Sequence, residues 1–219
     1  MPHRSTPPGA DDPAPLDPPR GRREEILDGA AEMFAEHGYH GSSLRDISRH
    51  IGISHSGMLH HFEAKELLLE GVLDRLEDHA QAALERIEDF RGDREALLGG
   101  LAEVWHPACL EVRLLATLDA ESVSADHPGR LRLARLRKVH EHMLETCFAA
   151  LSEQGLLHVE TDPAFAGRSL YAMVLNLAVR EKTVRPLQHR PQDDAPLADL
   201  ARQVDALLAD APEEPAHEG

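Results

Sequence analysis

Cysteine is nearly absent from this chain. Cys109 and Cys147 are the only two in 219 residues, and no C-x-x-C pair occurs, so neither a disulfide framework nor a zinc ribbon is implied. No run of 18 apolar residues exists, and no secretory signal pattern opens the chain. The expectation is a soluble, cytoplasmic protein without a membrane partner. Alternating β-branched runs are missing, while Pro and Gly punctuate long stretches of helical periodicity, so the expected fold class is all-α. There is no Gly-rich phosphate loop and no H-E-x-x-H zinc helix. Gly52-Ile53-Ser54-His55-Ser56 opens like a nucleophile elbow but lacks the final Gly and the preceding strand. No catalytic residue, cofactor or resident metal is therefore expected, and the chain does not read as an enzyme.

Hydrophobic residues make up 42% of the chain, enough to bury a real core. The net charge of −16 argues against a nucleic-acid coat, but the local balance differs. Residues 42–65 carry Arg45, Arg49 and Lys65 against Asp46 and Glu63, with four of the 15 histidines. Residues 20–70 together hold six basic and nine acidic side chains, so any DNA-binding face is weakly basic at best. Affinity from phosphate neutralisation alone should be modest, which suits a sequence-specific binder better than a chromatin-coating protein.

The stretch SSLRDISRHIGISHSGMLHHFEAKE over 42–66 is the most informative. Ser43 is placed to cap a short helix with Leu44, Ile47 and Ile51 on its apolar side. Gly52 breaks that helix. Ser54 is placed to cap a second, with Met58, Leu59 and Phe62 apolar. Two short helices joined by a Gly-containing turn have the form of a helix-turn-helix. In that motif the second helix enters the major groove with its N-terminal residues against base edges. Here those residues are Ser54, His55, Ser56 and Gly57, small enough for close approach.

Residues 22–73 also resemble the N-terminal domain of the TetR family of transcriptional regulators. The matching positions are Ile26, Ala30, Ala31 and Phe34, then Gly38-Tyr39 and Ser42-Ser43-Leu44. Asp46-Ile47, Gly52-Ile53-Ser54, His61-Phe62 and Lys65-Glu66-Leu67-Leu68 follow in the same order and spacing. The resemblance implies a homodimer on a palindromic double-stranded operator, with a C-terminal bundle that binds a small-molecule effector. It gives Lys65 the role of a phosphate contact. One departure stands out: the family usually has a phosphate-contacting Tyr where this chain has Leu59, and His60 or His61 would have to replace it. The DNA-binding candidates are Ser43, Arg45, Ser54, His55, Ser56, His60, His61 and Lys65.

Seven of the 15 prolines fall in residues 1–19, which read as a disordered arm leading to Arg20, Arg22 and Arg23. These arginines are either a solvated helix start or a contact to DNA. The DNA-binding domain is expected over 20–80, with its motif at about 43–62. An effector and dimerisation domain follows over 81–209, then an acidic tail over 210–219. Helices are expected over 22–37, from Ala64 to about Phe90, 94–105, 110–123, 130–154, from Pro163 to about 182, and 196–209. Asp162 is the cap for the helix that begins at Pro163.

His140 sits on an apolar stripe with Met143 and Cys147, as a core histidine with a satisfied hydrogen bond, a pocket anchor or a metal ligand. Resembling regulators enclose a cavity between the helices matching 94–182. That gives Trp105, His140, Met143, Cys147, Phe148, Tyr171 and Asn176 as effector-pocket candidates. The helix over 163–182 is apolar all round and the last helix has a single apolar stripe. Leu170, Val174, Leu177, Leu197, Leu200, Val204 and Leu207 are the dimer-interface candidates, paired as a four-helix bundle in the manner of the resembling family. The other readings of the chain are a ligand-binding or protein-interaction module with a degenerate motif, and a metal-responsive regulator.

Overall fold

The computed structural model describes residues 21–188 and 196–209. The expected arm and acidic tail lie outside the described residues. Within them the chain is all helix apart from an isolated antiparallel bridge between Leu157 and Leu208. Helix α1 (Arg22–His37) buries Ile26, Leu27, Ala30, Ala31 and Phe34 on one face and stops at Gly38. Helices α2 (Leu44–His50) and α3 (His55–His61) follow, each capped by the predicted serine. Ser43 Oγ accepts from Asp46 N at 3.2 Å, and Ser54 Oγ accepts from Gly57 N at 3.0 Å. Between them Gly52 takes φ 72°, the left-handed conformation that ends α2 without the steric cost a side chain would add.

The chain continues as α4 (Lys65–Glu85), α5 (Ile87–Phe90), α6 (Arg94–Glu103) and α7 (Leu110–Glu121). Then come α8 (Arg130–Glu153), α9 (Pro163–Thr183), a 3-10 turn at Arg185–Leu187 and α10 (Pro196–Asp205). Asp162 caps α9 by accepting from Ala164 N and Phe165 N, with Pro163 in the first turn as expected. The long helix expected to run from Ala64 to Phe90 is instead two. The backbone turns at Arg86, whose guanidinium is held by Asp89 and Glu103. The turn carries Phe90 inward, edge-on to Trp105 at 6.1 Å, where a straight helix would carry it past the core. At 21 residues α4 spans about 32 Å, still enough to run from the motif into the C-terminal bundle.

The expected dimer face needs correction. Leu170, Val174, Leu177, Leu200 and Val204 are buried within the single chain, and Leu197 and Leu207 are partly buried against the same core. Helix α9 packs against α7 and α8, and α10 closes over α6 and α9. Arg94 fixes α10 from outside with two bonds to Asp205, at 2.6 and 3.0 Å. What α9 leaves outward is the line Phe165, Arg168, Ala172, Asn176 and Val179, with Phe165 57% and Val179 47% exposed. Asn176, expected in a pocket, is therefore on the outer surface. A helix apolar on every side does not reveal from sequence which side its own subunit uses.

Candidate nucleic-acid interface and its junction with the C-terminal bundle

Ile47, Met58 and Phe62 anchor α2 and α3 to α1 and α4 by burial, which leaves one continuous polar face outward. That face carries Arg45, Ser54, Ser56, His60 and His61, all exposed, with His55 half-buried beside them. Leu59, read from sequence as apolar-side, is 38% exposed and belongs to this outer face. Ser43 also donates to Asp46 Oδ2 at 2.5 Å, and this bond holds the Asp46 carboxyl below its ordinary pKa. Both oxygens of that pair are thus engaged in capping. Ser54 and Ser56 hydroxyls lie 3.1 Å apart and share a bond. His55 Nδ1 is enclosed with no partner among the described residues.

Lys65 is more constrained than a free surface lysine. Its ammonium donates to Tyr39 O at 2.9 Å and Ser42 O at 3.0 Å, and sits 4.0 Å from the Tyr39 ring centroid. Two of its three donors brace the loop between α1 and α2.

That loop is the end of a junction the sequence did not disclose. Glu121, at the end of α7, accepts from Tyr39 N at 2.6 Å and from His40 N at 3.2 Å. Tyr39 donates its hydroxyl to Glu66 at 2.9 Å and packs against His127 with ring centroids 5.2 Å apart. His127 is buried, and burial pushes its pKa down. The last carbonyls of α1 are taken by the bundle too. Thr117 on α7 donates to Ala35 O at 3.2 Å, and Lys182 on α9 donates to Ala35 O at 3.1 Å and to Glu36 O. A cation at a helix C-terminus also opposes the helix dipole favourably. The α7 and α9 partners of this loop and of the α1 terminus are 81 to 147 residues away in sequence, so no local pattern marks them.

Six of the seven pocket candidates come together in the bundle: Trp105, His140, Met143, Cys147, Phe148 and Tyr171 are all buried. Trp105 Nε1 donates to His140 Nδ1 at 3.1 Å, and His140 stacks on Tyr171 at 5.3 Å with planes 13° apart. The proton of neutral His140 is then on Nε2, which has no partner among the described residues. Burial, with His79 nearby, pushes its pKa down to about 4 from 6.5. A lowered folded pKa stabilises the fold above pH 6.5, and the gain is lost as pH falls towards 4, here about 3 kcal/mol. Denaturation midpoints of the parent should therefore drop more across that window than those of His140→Gln, which keeps an acceptor for Trp105 but does not titrate. Equal drops would show that His140 is not buried neutral. The two thiols are also shifted by burial, Cys109 up to about 11 and Cys147 up to about 12.

A cleft of about 260 Å³ lies where α1, α4 and α7 meet. Among the described residues no helix is long and apolar enough to cross a membrane, and no three His, Cys, Asp or Glu side chains converge to hold a metal ion.

A capped helix-turn-helix with an exposed second helix, packed against a larger set of helices, marks a DNA-binding regulator of transcription. Residues 26–72 match the family described as bacterial regulatory proteins, tetR family. The repressor AcnR of Corynebacterium diphtheriae is 49% identical over 189 residues, 85% of this chain and 77% of that protein. The repressor KstR2 of Rhodococcus jostii is 35% identical over 123 residues, and the aligned part spans only 52% of its length. This chain belongs to the TetR family. Among solved structures, reduced NemR of Escherichia coli aligns with a TM-score of 0.65 at 18% identity, covering 87% of this chain and 98% of that one. AibR in complex with isovaleryl coenzyme A and operator DNA aligns at 0.61 and 22%, covering 84% and 96%. At these identities the likeness is one of fold.

Proposed function

We propose that the protein is a homodimeric repressor that holds a palindromic operator through α3 and releases it when a small molecule binds. The observation that carries this reading is the exposed polar face of α3 on a motif whose preceding loop is tied to α7 by Glu121. The names of AcnR and KstR2 as repressors support it, as does the effector-and-operator complex solved for AibR. A two-fold dimer presents two α3 helices about one turn of duplex apart, so a palindrome with half-sites on one face is the target. The outward line of α9 is the dimer surface, because its apolar members are otherwise left in water.

Selection from a random DNA pool should return one such palindrome. On it, Lys65→Ala should weaken binding to all sequences alike and lower the slope of log affinity against log salt by about one. His55→Ala should instead change the preferred base at one position per half-site, by about 1–3 kcal/mol. A pool that yields no palindrome sinks the reading. Two variants that lose affinity uniformly would sink the division of roles.

A further inference from the structure

The cleft at the junction of α1, α4 and α7 is a candidate site in the wrong place for a pocket in the bundle core, and in the right place to act on DNA. One wall is α1, which belongs to the DNA-binding unit. The opposite wall is α7, whose far end holds the loop before α2 through Glu121. At about 260 Å³ it is just below the roughly 300–1,000 Å³ of sites for drug-sized ligands, so its occupant is small.

Its lining selects by charge. Val72, Leu76 and Leu114 give an apolar floor. The cleft's cation, Arg75, is already committed to Asp28 at 2.8 Å and to the Glu24 carboxylate. A ligand carboxylate would therefore meet a guanidinium neutralised twice over. Glu111 lines the same space, and among the described residues no salt bridge engages it. His79 also lines the cleft, but its Nε2 is closed off from solvent and from the cleft. An unpaired carboxylate beside an apolar floor is complementary to a donor-rich cation on a hydrocarbon body, and desolvating it without such a partner is costly.

We infer that this cleft is the effector site and that it takes a small amphipathic amine, with the ammonium against Glu111. Its regulatory consequence rests on the repressor reading, whereas its occupancy does not. An occupant there wedges α1 from α4 and α7, and so acts on the body that carries α3.

The test is calorimetry on the full chain at neutral pH, with butylammonium, hexylammonium and phenethylammonium as probes and hexanoate and phenylacetate as their anionic counterparts. At least one ammonium should bind with Kd below about 1 mM, and the anions about tenfold more weakly or worse. Glu111→Gln keeps the shape of the site and should cost about tenfold in amine affinity. Circular dichroism checks that the variant keeps its helix content. Saturating amine should lower operator affinity by roughly five- to 150-fold. No ammonium binding, equal binding of anions, or amine affinity unchanged in Glu111→Gln would each overturn the site. Operator binding without probe, on the same preparation, separates the two claims. Amine binding that depends on Glu111, with no operator selected, would leave the site standing and remove the repressor reading.

Discussion

A Leu200→Asp, Val204→Asp double variant should fail to hold α10 on the bundle, whatever the state of the dimer. Both side chains are fully buried inside one subunit, against α6 and α9. Each substitution forfeits roughly 1.5–3 kcal/mol of apolar burial. Each also asks a carboxylate to enter an apolar site, so it must either stay protonated or pull the helix into water. Together they should cost about 5 kcal/mol or more, comparable with the entire stability of an ordinary domain. Urea denaturation should show a large loss of midpoint. Phe165→Asp with Val179→Asp should do the reverse, because those side chains already face outward from the subunit. Light scattering should then report monomers, with the denaturation midpoint of the protomer nearly unchanged. A monomeric, well-folded Leu200→Asp, Val204→Asp protein would put the interface back on α10.

The second large effect is expected at the junction. Gly38 has φ 74°, and a Cβ built there would lie 2.4 Å from Glu121 Oε1. Gly38→Ala therefore meets two penalties. At φ 74° and ψ 172° the backbone lies in a region essentially reserved for glycine, which costs another residue on the order of 1–3 kcal/mol. The methyl group also expels the carboxylate from the Tyr39 and His40 amides, and bonds to a charged group are worth about 1.5–3 kcal/mol. A total loss of about 3 kcal/mol is expected. Glu121→Ala alone should lose the second part only. In the double variant the clash is gone, so its cost should fall below the sum of the singles by about 1 kcal/mol or more. Strict additivity in a denaturation cycle would show that the two residues do not meet. Operator affinity should fall in both single variants, since the loop they fix leads directly into α2.

The parts of this architecture legible in the sequence were those set by neighbouring residues. Ser43, Ser54 and the Asp162-Pro163 pair announce helix starts because a cap acts within three residues of itself. Gly52 announces the turn for the same reason. The break at Arg86 was not legible, and what accompanies it, the packing of Phe90 on Trp105, is a tertiary contact. Helix α9 misled because both its sides are apolar. Asn176 was the clue to its outer side and was taken for a pocket anchor. The phosphate contact expected of Lys65 came from the resemblance, and the Tyr39 and Ser42 carbonyls that also hold it lie 26 and 23 residues earlier, beyond any local pattern. Glu121, which matters most to the junction, carried no signal at all, since its partners are 82 and 81 residues away.

The burial of the two cysteines sets what kind of signal the protein can ignore. Only a thiolate attacks an electrophile or a peroxide. Burial raises both thiols, Cys147 to about 12 and Cys109 to about 11, so the thiolate is scarce on either at neutral pH. Both should react with an electrophile such as iodoacetamide far more slowly in the folded protein than a free cysteine does.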